Sequence, residues 1–144
     1  MNKEQRPFKF LCGKHRQALI QNPKIAKKFW AEAILVARQQ LQHKNFLRAV
    51  NIFGNATEVA EILFYIDVNR RKSEIRLSRT AVEYSYVMRY LRCNHEGDCL
   101  LSSISNIFDS DTLTQNVDHL LSPLEESMSC SKDVVDRWIS ARTA

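Results

Sequence analysis

Hydrophobic positions recur along most of this chain at spacings of three and four, the period of helices that turn one stripe toward a core. The clearest stretch opens at Asn22-Pro23, a capping side chain followed by proline at the first helical position, where a missing N–H is no loss. It carries Ile25, Phe29, Trp30, Ala33, Ile34, Val36, Ala37 and Leu41, a broad stripe expected to face inward. A shorter amphipathic segment with Ala18, Leu19 and Ile20 precedes it. After His43-Lys44-Asn45 the pattern resumes with Phe46, Ala49, Val50 and Phe53, and Gly54 reads as a C-terminal stop. Asn55 and Glu58 then have the spacing of a capping box. The helix they would start turns Val59, Ile62, Leu63 and Ile66 inward and runs out at Asn69-Arg70-Arg71-Lys72.

Residues 73–90 carry two patterns at once. Val82, Tyr86, Val87, Tyr90 and Leu91 fit one helical face, with Thr80 and Glu83 at capping-box spacing, whereas Ile75/Leu77 and Val82/Tyr84/Tyr86 alternate as a strand would. The helical reading is adopted. Asn94-His95-Glu96-Gly97-Asp98 reads as a loop, with Asp98 capping a helix that buries Leu100, Leu101, Ile104, Ile107 and Phe108. Ser110 or Asp111 is expected to cap the next, through Leu113, Val117, Leu120, Leu121 and Leu124, with Pro123 bending or ending it. Ser131 caps a last helix with Val134, Val135 and Trp138 on one side. The pattern predicts an all-α chain of about eight helices joined by short loops.

Composition sharpens this. A length of 144 residues is that of one domain, and 3 Gly with 3 Pro are too few for the tight turns of an all-β fold. The longest uninterrupted apolar run, Ile62-Leu63-Phe64-Tyr65-Ile66, is far short of the roughly 20 residues that cross a bilayer. Lys3, Arg6 and Lys9 precede only Phe10-Leu11-Cys12, which is no signal-peptide core. A cytoplasmic, membrane-free protein with reduced cysteines is therefore expected. The net charge of +5 hides a split: residues 1–94 hold 18 Lys/Arg against 7 Asp/Glu, and residues 95–144 hold 3 against 9. Within one domain, residues 1–144, an acidic helical part is expected to pack on a basic body.

Val36 and Ala37, then Phe46, Ala49, Phe53 and Ala56, stand at the spacings of a helix–turn–helix repeat in which small residues let two helices approach and aromatic rings fill the gap. On these residues, 33–61 resembles a single tetratricopeptide-repeat (TPR) unit. Gln40 replaces an aromatic, Lys44 a turn glycine and Glu61 the closing proline; Gly54 interrupts the second helix, and no second copy follows at the same period. The fold expectation is an irregular helical bundle or a TPR-like stack of antiparallel hairpins. The resemblance implies that the first helix of the unit lines a partner groove through Glu32, Arg38, Gln39 and Gln42.

Chemistry-bearing residues are sparse. Cys93, His95 and Cys99 are of the types zinc takes, but their spacing matches no common zinc finger, and Cys12 and His15 would have to complete the set. As a hydrolase, Cys93 or Cys99 would attack with His95 as base, yet no orienting group or family signature surrounds them. Glu125/Glu126 and Asp133/Asp136 read as solvated helix faces, and no glycine-rich phosphate loop is present. Neither a catalytic role nor a cofactor is expected.

Arg70, Arg71, Lys72, Arg76 and Arg79 carry more weight. Lys72, Arg76 and Arg79 share a face if this segment is helical, and Tyr84, Tyr86 and Tyr90 follow, a combination suited to phosphate contacts with base stacking. The structural counter-reading places the cations at a helix C-terminus, where they complement the macrodipole, and Tyr86 and Tyr90 in the core. The expected function is a non-enzymatic interaction module, an adaptor or regulator that binds another protein. The alternative is a basic nucleic-acid-binding or transcription-associated regulator working through Arg70–Arg79. No sustained heptad pattern points to an oligomer.

Overall fold

In the computed structural model, which describes residues 11–111 and 118–143, the chain forms seven helices: α1 (Gly13–Gln21), α2 (Pro23–Gln42), α3 (Phe46–Ile66), α4 (Arg70–Tyr90), α5 (Asn94–Asp111), α6 (Asp118–Ser129) and α7 (Lys132–Thr143). Among the described residues there is no strand, and no helix is long and apolar enough to cross a membrane. Several starts follow directly from side-chain chemistry. Asn22 Oδ1 accepts the Ile25 N–H at 3.3 Å with Pro23 at the first position, and Ser131 Oγ accepts the Val134 N–H at 3.4 Å. Residues 73–90 lie wholly in α4, as the helical reading has it.

Other local signals are overridden. Gly54 stops nothing: α3 runs through it, the glycine is buried, and no described glycine has positive φ. The segments expected as two helices therefore join, which gives seven among the described residues where about eight were expected. Asn55 and Glu58 are interior positions of α3 rather than a cap, and Thr80 and Glu83 are interior to α4. Thr80 Oγ1 donates to the Arg76 carbonyl at 2.6 Å and accepts the Trp30 indole N–H at 3.1 Å, so its hydroxyl is used across helices. The expected loop 94–98 is the first turn of α5, and Pro123 sits inside α6, which continues past it. α5 extends through Ser110 to Asp111, and Leu113 and Val117 lie outside the described residues, as do Lys3, Arg6, Lys9 and Phe10.

Two helices end on the same device. The Lys44 N–H bonds the Leu41 carbonyl at 2.9 Å and the Asn45 N–H the Gln40 carbonyl at 2.9 Å. At the end of α4, the Arg92 N–H bonds the Arg89 carbonyl at 3.0 Å and the Cys93 N–H that of Met88 at 2.8 Å. This is the Schellman pattern, which requires one left-handed residue and usually takes glycine there. Here it takes Lys44, with φ 63°, and Arg92, with φ 65°.

α4 is the centre of the bundle, packed against α3, α5, α6 and α7, while α2 packs along α3. One continuous core joins Ala37 and Leu41 of α2, Phe53 and Phe64 of α3, Leu77 and Val87 of α4, and Ile104 and Phe108 of α5 with Leu124 and Ile139. The later helices are tied to α4 by specific bonds: Ser78 Oγ to the Leu120 carbonyl at 2.9 Å, Ser127 Oγ to Ser85 Oγ at 3.4 Å, and Arg89 Nη2 to Asp98 Oδ1. Trp138 of α7 stacks on Tyr86 at 4.7 Å between ring centroids, with the Arg142 guanidinium 3.6 Å above it.

Two polar networks are buried. α1 is clasped to α3 by Arg16, whose Nη1 meets Glu58 Oε2 and whose Nη2 meets Glu61 Oε1, both at 2.9 Å. Glu58 Oε1 also accepts the Leu11 N–H at 2.9 Å. At the α3–α4 turn, Asp67 receives Lys27 Nζ at 3.2 Å, Arg76 Nη1 at 3.5 Å, Ser73 Oγ at 3.2 Å and the Asn69 N–H at 3.2 Å.

Candidate functional site

The inward face of α2 is set by Ala26, Ile34, Ala37 and Leu41, all buried, with Trp30 half-buried beside them. A helix turns about 100° per residue, so Ile25, Phe29, Glu32 and Val36, at spacings of four, three and four, form a second stripe turned well away from the first. That stripe faces solvent: Ile25 is 55% exposed, Phe29 38% and Val36 39%, with Leu35 at 57% beside them. The inward placement expected for Ile25, Phe29 and Val36 is thus corrected. The apolar pattern of this helix is wider than one face, and the core takes only half of it.

The four residues marked as partner-facing, Glu32, Arg38, Gln39 and Gln42, are all exposed, but on different sides of α2. Glu32 and Gln39 lie with Phe29 and Val36. Arg38 turns toward α4 and makes a two-pronged bond with Glu83, Nε to Oε1 at 3.0 Å and Nη2 to Oε2 at 2.9 Å. That bond leads in raising the guanidinium pKa, with burial opposing it. Arg38, Gln42, Glu83 and Arg142 border an opening of about 430 Å³. A neighbouring one of about 310 Å³ adds Arg79 and Trp138, so one residue from each expected surface meets there. Of the residues on which the repeat resemblance rests, Ala37, Ala49, Phe53 and Ala56 are fully buried, Phe46 is half-buried and Val36 is exposed.

The basic run lies elsewhere than expected. Arg70, Arg71 and Lys72 form the first turn of α4, not the last turn of the helix before it, so the macrodipole opposes them. Arg70 lies 4.0 Å over the Phe64 ring, and Arg76 pairs with Asp67 and stands 5.3 Å from Trp30. Arg71, Lys72 and Arg79 are exposed. Of the three tyrosines, Tyr84 and Tyr86 are buried, and Tyr90 is 37% exposed.

His95 and Cys99 lie one turn apart on α5, Nε2 to Sγ 3.7 Å, while Cys93 Sγ faces the Leu91 carbonyl at 3.9 Å. Cys12 Sγ accepts the His15 N–H at 3.5 Å and caps α1. Among the described residues no three His, Cys, Asp or Glu side chains are grouped to hold a metal. Sequence reasoning missed the exposed half of α2 and the buried Arg16–Glu58–Glu61 clasp. A second stripe at 25, 29, 32 and 36 was a readable signal for the first; for the clasp, joining positions 42 and 45 apart, no local spacing gives one. Comparison with protein-family models, curated proteins and solved structures finds no match to the chain.

Proposed function

We propose that this chain is a non-enzymatic, cytoplasmic protein–protein interaction module, an adaptor or regulator, that docks a partner helix along the outward side of α2. The observation that carries the reading is four large apolar side chains, Ile25, Phe29, Leu35 and Val36, held outward on one 20-residue helix that is otherwise firmly seated on α3. Exposed apolar residues aligned along a helix are the substrate of helix-in-groove and helix-on-helix recognition. The flanking charges choose the partner: with Lys27 engaged at Asp67 and Arg38 at Glu83, the remaining Lys24 and Lys28 against Glu32 favour an amphipathic helix with acidic flanks. Glu32 and Gln39 would form its polar rim. A TPR-like use of the α2–α3 hairpin is the architectural form of this proposal, with α2 in the place of the lining helix.

The test compares capture from native lysate by the wild type, by Phe29→Asp/Val36→Asp and by Arg71→Glu/Lys72→Glu/Arg79→Glu, each with and without nuclease. A protein retained by the wild type and the α4 variant but lost from the α2 variant supports the docking face. Equal retention by all three sinks it.

The second reading, nucleic-acid binding through Arg70, Arg71, Lys72, Arg76 and Arg79, draws support from three cations placed against the macrodipole at the start of α4 with no acidic residue in that turn. Two of the five are engaged within the chain, Arg70 over Phe64 and Arg76 at Asp67, so this reading rests on Arg71, Lys72 and Arg79. Companions lost on nuclease treatment, and lost from the α4 variant alone, would move it to first place.

A further inference from the structure

At the end of the bundle where α2 turns into α3 and α4 into α5, α7 closes a second cleft along its length, from Lys132 to Thr143. Its main opening is about 600 Å³, and a side opening of about 310 Å³ shares Tyr90, Arg92, Lys132 and Asp136 with it. Three cations line it: Lys44 from the first turn, Arg92 from the second, and Lys132 from α7. Among the described residues none of the three forms an ion pair. Phe46 and Tyr90 form one wall, their ring centroids 4.8 Å apart. Arg89 reaches the side opening with its Nε unbonded, its Nη2 held by Asp98.

Backbone physics would fill all three positions differently. Lys44 and Arg92 occupy left-handed positions, where glycine carries no Cβ penalty. Lys132 is the first residue of α7, where the helix dipole favours an acid. The macrodipoles of α2 and α4 recover part of this for Lys44 and Arg92, since each ends a helix, but a cation elsewhere in the last turn would gain the same without strain. Strained positions that share a chemistry and a cavity are a mark of a site.

We infer that this cleft binds a small phosphate ester, of the size of a nucleoside monophosphate or sugar phosphate. Lys44, Arg92 and Lys132 receive the phosphate, with the Arg92 guanidinium matching two of its oxygens at once. Asp136, in the same cleft, disfavours a bare polyanion and instead accepts hydrogen bonds from hydroxyl groups on the body of the ligand. The exposed part of Tyr90 offers a ring face. The volume is in the range that holds ligands of a few hundred daltons.

The test is titration calorimetry of the full chain with 5′-AMP, glucose 6-phosphate, inorganic phosphate, adenosine and a single-stranded ten-nucleotide DNA. Saturable binding of one ester, with adenosine inert and inorganic phosphate weaker, is the expected result; which ester binds more tightly distinguishes the nucleoside source from the sugar source. Lys44→Gly and Arg92→Gly should each weaken it at least about tenfold, the loss of one charge-assisted contact. Both variants should melt about 2–4 °C higher, because glycine relieves the left-handed strain. Folding therefore cannot explain the loss. The inference is overturned if no ester saturates by about 5 mM, if the glycine variants bind as the wild type does, or if both melt lower. It is equally overturned if only the oligonucleotide binds, which would make the cleft a nucleic-acid contact.

Discussion

Replacing Asp67 with Asn tests whether the turn between α3 and α4 is an electrostatic hub or merely a crowded corner. The carboxylate side chain is 2% exposed and binds four donors from three elements: Lys27 on α2, the Asn69 N–H in the turn, and Ser73 and Arg76 on α4. Lys27 is 46% exposed, so that pair contributes at most about 0.5 kcal/mol. Arg76, 14% exposed at 3.5 Å, and the two hydrogen bonds at 3.2 Å contribute more. Asn retains one acceptor oxygen but no charge, and the single Ser73 hydroxyl proton, shared between Asp67 and the Leu63 carbonyl, turns to the carbonyl. The expected loss is about 2 kcal/mol at pH 7, within the range for hydrogen bonds to a charged group. In urea this lowers the midpoint by about 1 M without changing the slope.

The pH dependence gives the sharper check. Burial pushes the Asp67 pKa up, but the Asn69 N–H, the Lys27 ammonium and the Ser73 hydroxyl outweigh it and hold the pKa below its ordinary 3.8. A carboxylate with a depressed folded pKa contributes stability that is complete above its unfolded value and is lost as pH falls through the folded one. The gap between wild type and Asp67→Asn should therefore be constant from pH 7 to about 5 and shrink steadily below pH 4. A gap under about 0.5 kcal/mol at pH 7, or one unchanged down to pH 2.5, would refute the hub.

Arg16→Met should release α1 from α3 by removing two 2.9 Å bonds to buried carboxylates, a loss of about 3 kcal/mol limited by the free energy needed to undock α1. Hydrogen exchange should rise in residues 13–21 and little in α4; a uniform rise would mean that α1 does not open separately. Trp138→Ala should cost about 2–3 kcal/mol by stripping Tyr86 and Arg142 of their stacking partner, read by urea unfolding with helicity retained. A loss under about 1 kcal/mol would place α7 off the bundle. Phe29→Asp/Val36→Asp should leave stability within about 0.5 kcal/mol, and a melting transition more than about 5 °C lower would return these side chains to the core.

The helical class and two of the expected capped starts were legible because they depend on near neighbours. Asn22 with Pro23 and Ser131 sit where their side chains reach an N–H three residues on, and α4 has its period despite a strand-rich composition. Stops were less legible. Gly54 has no left-handed φ to supply, because tight packing on both sides of α3 outweighs the roughly 1 kcal/mol a helical glycine costs. The actual left-handed residues are Lys44 and Arg92, whose type announces nothing of the kind. Reading Arg70–Lys72 as the end of a helix placed them one turn too early, across a turn fixed by the distant Lys27 and by Arg76. For the candidate surfaces, exposure was legible at Glu32, Gln39 and Gln42, but the pairing of Arg38 with Glu83, 45 positions away, was not.

The central place of α4 also bears on how the chain is made. Its far side is completed only by α5, α6 and α7, about fifty residues that a ribosome needs roughly 3–10 s to add. During that interval α2, α3 and α4 can close on one another through contacts near in sequence, leaving Ser78, Ser85, Tyr86 and Arg89 waiting for Leu120, Ser127, Trp138 and Asp98. Two of those four are serines that end fully or almost fully buried. Their hydroxyls hydrogen-bond to water as readily as to the helices that arrive later, so these two groups lose no bond while the face waits, whereas Leu77 and Val87 beside them stay uncovered until the core closes.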